Sequence, residues 1–82
     1  PHGLSKDGNL LFICDGNDGL KIYDASNPQD IRLKQHIKEL ETYDVITTNN
    51  IAIVVATDGL YQFDYSDINN IKQLSKMAIE KN

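Results

Sequence analysis

Two acidic features hold the residues best suited to chemistry. The first is the loop Asp15-Gly16-Asn17-Asp18-Gly19, where carboxylates and an Asn amide sit on a tight glycine turn. Hard oxygen donors of this kind are what calcium takes. An EF-hand loop, however, places ligands at its first, third and fifth positions with Gly at the sixth, and here Gly19 falls at the fifth. Asp15, Asn17 and Asp18 are the candidate metal ligands, and a hairpin turn is the stronger reading of the loop. The second feature is Asp24 and its counterpart Asp64, each ending an apolar run and each followed two residues on by Ser26 or Ser66. Two carboxylates on one rim would suit acid–base work. The competing reading, that Asp ahead of Ser caps a turn and recurs because the architecture recurs, is the stronger.

The remaining reactive residues point away from catalysis. His2 and His36 are the only histidines, and no Cys, Asp or Glu stands at metal-ligand spacing beside them, so a solvated or loop role is expected for both. Cys14 lies in the apolar run Leu10-Leu11-Phe12-Ile13-Cys14 with nothing basic next to it, which predicts a small buried hydrophobe rather than a reactive thiol. No Gly-x-Ser-x-Gly elbow, phosphate loop or dinucleotide fingerprint is present, and no cofactor is expected. Tyr61, Phe63 and Tyr65 share one face by alternation, while Tyr23 joins them as the aromatic of the earlier run. That face could hold sugar or peptide; packing on a neighbouring sheet is the stronger expectation.

The elements that position these residues come in two copies. Asp18-Gly19-Leu20-Lys21-Ile22-Tyr23-Asp24-Ala25-Ser26 returns as Asp58-Gly59-Leu60-Tyr61-Gln62-Phe63-Asp64-Tyr65-Ser66, identical at five of nine positions. Gly19, Leu20, Asp24 and Ser26, with Gly59, Leu60, Asp64 and Ser66, are the recurring structural positions. The preceding apolar runs, Leu10 to Cys14 and Ile51 to Ala56, match at an offset of forty-one, and the echo itself at forty. A one-residue difference confined to a loop is what a structural repeat tolerates.

Each unit reads as four short strands. In the first, a strand at 2–5 leads to the turn tetrad Lys6-Asp7-Gly8-Asn9, then the apolar strand Leu10 to Cys14, with both faces expected to be covered. The acidic loop turns the chain into Leu20-Lys21-Ile22-Tyr23, which ends where Asn27 and Pro28 stop ladder donation. A last strand over 31–37 is predicted to place Ile31, Leu33 and Ile37 on one face. In the second unit Tyr43 to Ile46 matches the opening strand and Thr47-Thr48-Asn49-Asn50 the turn. The ends are ambiguous: Ile68, Ile71, Leu74 and Ala78 have helical spacing, so a short C-terminal helix competes with a strand over 71–79, and 33–41 is helix-prone in composition. Strand is preferred, because the matching segment of the first unit must be short and carries Pro28 just upstream.

Four strands in about forty residues is the period of a β-propeller blade. The expected fold is all-β, two consecutive four-stranded antiparallel blades at 1–41 and 42–82 within one larger domain. Four to eight blades close a ring, so two must leave apolar faces to be covered by further blades of the same chain or by self-association. The chain begins Pro1-His2-Gly3 and enters its first repeat at once, which reads as the tail of a longer chain.

At 82 residues the core is small. Twelve acidic against eight basic residues, a net charge of −4 with no Lys/Arg cluster, disfavour nucleic acid and anionic membrane surfaces. No apolar run approaches the length of a membrane span.

The strands Leu20-Lys21-Ile22-Tyr23-Asp24 and Leu60-Tyr61-Gln62-Phe63-Asp64, with Ala25-Ser26-Asn27-Pro28 after the first, resemble the LVIVD repeat of bacterial and archaeal propeller-like proteins, a hydrophobic strand ending in Asp and followed by Val-Ser-Asx-Pro. The second unit departs at Gln62, in place of an aliphatic residue, and at Ile68, in place of the proline, as a terminal blade would. The resemblance implies an extracytoplasmic setting, in the periplasm or anchored at the cell surface as a lipoprotein is. It supplies no catalytic residues. The expected role is a non-catalytic scaffold or interaction module with a protein or glycan partner; the alternative is a piece of a propeller enzyme whose active site lies mostly in other blades.

Overall fold

A computed structural model describes residues 3–79. Among these the fold is all-β, with no helix, and consists of two four-stranded antiparallel sheets. The first contains β1 (Gly3–Asp7), β2 (Leu10–Cys14), β3 (Leu20–Asp24) and β4 (Arg32–Ile37). The second contains β5 (Thr42–Thr48), β6 (Ile51–Ala56), β7 (Gly59–Asp64) and β8 (Lys72–Ala78). Strands neighbour one another in chain order in both sheets, consistent with two propeller-blade-like units.

Local chemistry explains each hairpin. Asp7 pairs with Leu10, leaving Gly8-Asn9 as a two-residue turn in which Gly8 alone has positive φ. In the second unit Thr48 pairs with Ile51, and Asn49 and Asn50 both take positive φ, the type I′ pattern that suits Asn. Lys6, Asp7, Thr47 and Thr48, expected in the turns, therefore belong to the strands. The next hairpins differ by one residue. The Asp15 amide donates to the Gly19 carbonyl at 2.9 Å around Gly16-Asn17-Asp18, whereas Ala56 pairs with Gly59 around Thr57-Asp58. The third connections match: the Asp30 amide reaches the Asn27 carbonyl and the Asn70 amide the Asp67 carbonyl, both at 2.9 Å.

Both fourth strands carry a bulge at the same repeat position. Ile22 opposes Gln35 and Tyr23 opposes Leu33, so Lys34 is the extra residue; Gln62 opposes Ser75 and Phe63 opposes Gln73, which makes it Leu74. A bulge shifts the alternation by one. Ile31, Leu33 and Ile37 therefore do not share a face. Ile37 packs on the core, while Leu33 and Ile31, the latter outside the strand, are half-exposed. The C-terminal helix does not form. Residues 72–78 pair along the whole of β7 and satisfy its outer ladder, and all seven side chains are exposed, so the helical spacing has no core to face. Ile68 and Ile71, in the turn before β8, are the members of that quartet that pack against the core.

The core lies between the sheets. Phe12, Cys14, Leu20 and Ile22 face Val45, Ala52, Val54, Tyr61, Phe63 and Tyr65, and Leu40 closes one side from the connector. Each of Phe12, Leu20 and Ile22, at most 1% exposed, stabilises the fold by roughly 1.5–3 kcal/mol. The backbones of the two sheets come closest along β1 and β5, where a Cβ on Gly3 would lie 2.7 Å from Asp44 Cα. Among the described residues only one face of β2 is covered: Leu11 and Ile13 point to the opposite side and are half-buried.

Candidate functional site

The acidic loop is closed by lysine. Lys21 Nζ lies 2.8 Å from Asp15 Oδ2 and 3.9 Å from Asp18 Oδ2. The Lys21 hydrogen bond holds the Asp15 carboxyl below the usual carboxylate range, and the Asp15 bond raises the ammonium of Lys21 in return. His36 Nε2 donates to the Asp18 carbonyl at 2.5 Å, so this histidine sits on β4 as a brace for the loop rather than in a loop itself. Asn17 is exposed at the tip. A cation at this loop would compete with an ammonium already in place. Among the described residues no three His, Cys, Asp or Glu side chains converge as a metal site. His2 lies outside the described residues.

The second unit builds the same closure differently. Asp58 receives the Tyr61 hydroxyl at 2.9 and 3.1 Å and Lys76 Nζ at 2.9 Å, and Lys76 lies 5.4 Å from the centre of the Tyr61 ring. The Lys76 and Tyr61 bonds lower the Asp58 carboxyl. Lys21 and Tyr61 occupy the same repeat position, each reaching back three residues to an Asp.

Asp24 and Asp64 make the same capping hydrogen bond. The Ser26 amide donates to Asp24 Oδ1 at 2.9 Å, and the Ser66 amide to Asp64 Oδ1 at 2.8 Å. These amides, with the serine hydroxyls second, hold both carboxyls below their ordinary range. A proton-transfer carboxylate needs the opposite shift to work near neutrality. Asn27 and Asp67 repeat the device three residues further on, capping the Gln29 and Asn69 amides at 3.0 Å.

Gly19 and Gly59 do more than turn the chain. A Cβ at Gly19 would stand 2.0 Å from the Ile37 carbonyl oxygen, and one at Gly59 2.3 Å from that of Met77. Both positions also have positive φ. Glycine is required where the fourth strand crosses the start of the third. The leucines that follow diverge: Leu20 is fully buried between the sheets, whereas Leu60 is half-buried on the outer side of β7.

Thr42 was not visible as important in the sequence. It is fully buried; its hydroxyl donates to the Gly19 carbonyl at 2.8 Å, and its amide to the Gly16 carbonyl at 3.0 Å. One residue thereby fastens the second sheet to the loop of the first. Cys14 lies beside it, fully buried, and burial pushes its thiol up against the opposing Thr42 hydrogen bond. At the β1–β5 side Ser5 Oγ and Thr47 Oγ1 are 2.7 Å apart, and the Tyr65 hydroxyl donates to Asp7. The aromatic face is packed: Tyr61, Phe63 and Tyr65 are at most 6% exposed, with the Phe12 and Tyr65 rings meeting edge-on at 4.8 Å. Tyr23 points to the other side of its sheet and is half-buried.

An open cleft of about 400 Å³ lies between β4 and the turn leading to β8. Phe63, Ile37 and Ile71 form its apolar lining, and Asn69, Asn70 and Gln73 border it with amides beside the Glu39 carboxylate. The Gln35 amide spans the two units there, donating to the Ile68 carbonyl at 2.9 Å. No helix among the described residues is long and apolar enough to cross a membrane.

Fold and surface together define an all-β chain of two blade-like sheets. No protein-family model, curated protein or solved structure matches it.

Proposed function

We propose that the chain is a structural and interaction element of a β-propeller-type repeat protein of the LVIVD kind, working outside the cytoplasm, and not a catalyst. Its partners on this reading are further blades, whether of its own chain or of another copy, and a protein or glycan ligand suited to the amide-bordered cleft. One contrast carries the reading. The loop and strand-end carboxylates Asp15, Asp24, Asp58 and Asp64 are committed to holding turns and loops, while apolar side chains lie open on the outer sheet faces. Leu4 is 64% exposed, Ile46 59% and Met77 68%. Large exposed apolar surface marks an interaction site.

A photoreactive side chain at Ile53, on the outer face of β6, tests this in cells that make the protein. The reading expects a covalent protein adduct in the extracytoplasmic fraction. Protein confined to the cytoplasm, or a chain that cross-links to nothing, would overturn it.

A further inference from the structure

The exposed faces are the repeat equivalents of the buried ones. In the first sheet the buried face carries Phe12, Cys14, Leu20 and Ile22, with Phe12 opposite Ile22 and Cys14 opposite Leu20. The matching positions in the second sheet are Ile53, Val55, Leu60 and Gln62, paired in the same register, and they face outward. The converse also holds. The buried face of the second sheet carries Ala52, Val54, Tyr61 and Phe63, and its equivalents Leu11, Ile13, Lys21 and Tyr23 form the outer face of the first sheet. The two sheets are therefore stacked head to tail: one kind of face meets the other kind once inside the chain, and one of each is left over.

We propose that a second copy of this chain covers these faces, the outer face of the first sheet in one copy stacking on the outer face of the second sheet in the next. This proposal rests on the chain being a stacking element. Such an interface is heterologous, so repetition gives a ring if the rotation closes and an open stack if it does not. The sheets approach most closely along β1 and β5, which places these strands nearest the axis of the stack. A ring of four to eight blades would take about two to four such two-sheet units. Two polar replacements, Lys21 where the second unit has Tyr61 and Gln62 where the first has Ile22, make the contact between copies weaker than the one inside the chain. The Lys21 charge is already matched by Asp15, which reduces the cost of covering it.

Sedimentation velocity on the full chain and on Ile13→Lys and Ile53→Lys, alone and mixed, tests the proposal. Wild type is expected to sediment as two or more copies and each variant alone as one, because every contact needs both kinds of face. An equimolar mixture is expected to recover a two-chain species that grows no further, since one intact face of each kind remains. Wild type sedimenting as a single chain, a variant that self-associates as wild type does, or a mixture that stays monomeric would overturn it. Leu4→Lys and Ile46→Lys, at more exposed positions of the same two faces, decide the matter should the first pair fail to fold, with circular dichroism as the control. In the cross-linking experiment an adduct with a different protein would leave the interaction reading standing and sink this one.

Discussion

The Tyr65 hydroxyl donates a 2.5 Å hydrogen bond to the Asp7 carboxylate, joining residues 58 positions apart, one on β1 and one just past the end of β7. With the Ser5–Thr47 bond it forms a polar seam along one side of the interface, in addition to the Thr42 bonds to Gly16 and Gly19 and the Gln35–Ile68 bond. The seam lies where β1 and β5 approach most closely, so apolar packing in the middle is flanked by directional bonds there, at the Thr42 contacts and at Gln35–Ile68.

Tyr65 makes stability depend on alkaline pH. Burial, then the Asp7 hydrogen bond and charge, push its phenol up to about 12. An unfolded tyrosine ionises near 10, so the folded state holds the proton where the unfolded state has lost it. The contribution is complete below about pH 10 and is lost as pH rises through the folded value, on the order of 2 kcal/mol in all. Tyr65→Phe should cost about 1 kcal/mol near neutrality, because exposed Asp7 keeps its water. Urea midpoints from pH 8 to 12 should fall more steeply for wild type than for the variant; parallel curves would contradict this assignment.

Gly19→Ala and Gly59→Ala should each destabilise by at least about 3 kcal/mol, since the added carbon meets a strand carbonyl and the backbone is left-handed there. Gly8→Ala, also at positive φ but with open space around it, should cost only about 1 kcal/mol. Denaturant titration of the three variants checks the ordering.

Removing the hydroxyl at Thr42 strips the buried Gly19 carbonyl of a donor. The carbonyl keeps the Asp15 amide as a donor, so Thr42→Val should cost about 0.5–1.5 kcal/mol, the worth of one hydrogen bond, and Thr42→Ser, which keeps the hydroxyl, clearly less. Chemical denaturation compares them, and equal losses would show that shape rather than the hydrogen bond matters.

Acid should act through the recurring aspartates. The serine amides hold Asp24 and Asp64 below their ordinary range, so their stabilisation is present above the unfolded value and is lost as pH falls through the lowered one. The double variant Asp24→Asn/Asp64→Asn keeps an acceptor for each amide and should melt near the wild-type temperature at neutral pH, with a flatter decline on acidification. Asp24→Ala/Asp64→Ala should lose stability at every pH. Melting curves from neutral to strongly acidic pH separate the three.

Much of this fold was legible because its signals are local. Asn49-Asn50, Gly8 and the Asp-x-Ser turns each announce a backbone shape within a few residues, and the forty-residue echo multiplies them. Contacts across distance were not. The bulge at Lys34 puts Leu33 and Ile37 on opposite faces, because a strand that looks regular in sequence can gain a residue against its partner. The helical spacing near the C terminus described only side chains, whereas the unpaired edge of β7 decided the outcome. Lys21, Lys76 and Thr42 close the loops from strands β3, β8 and β5, and no residue spacing announces that Thr42 will reach Gly19. Equivalence in sequence also did not mean equivalence in burial: Leu20 and Leu60 fall on the same repeat face, which is covered in one sheet and open in the other.

Head-to-tail stacking of the two sheets is tested most directly by proton–proton Overhauser contacts from the Phe12 ring in dilute solution. The structure predicts strong cross-peaks between Phe12 and Tyr65, whose ring centres are 4.8 Å apart, with the Ile53 and Leu60 methyls outside that network. Cross-peaks from Phe12 to Ile53 and Leu60 in place of Tyr65 would mean that like faces meet, and would contradict the account.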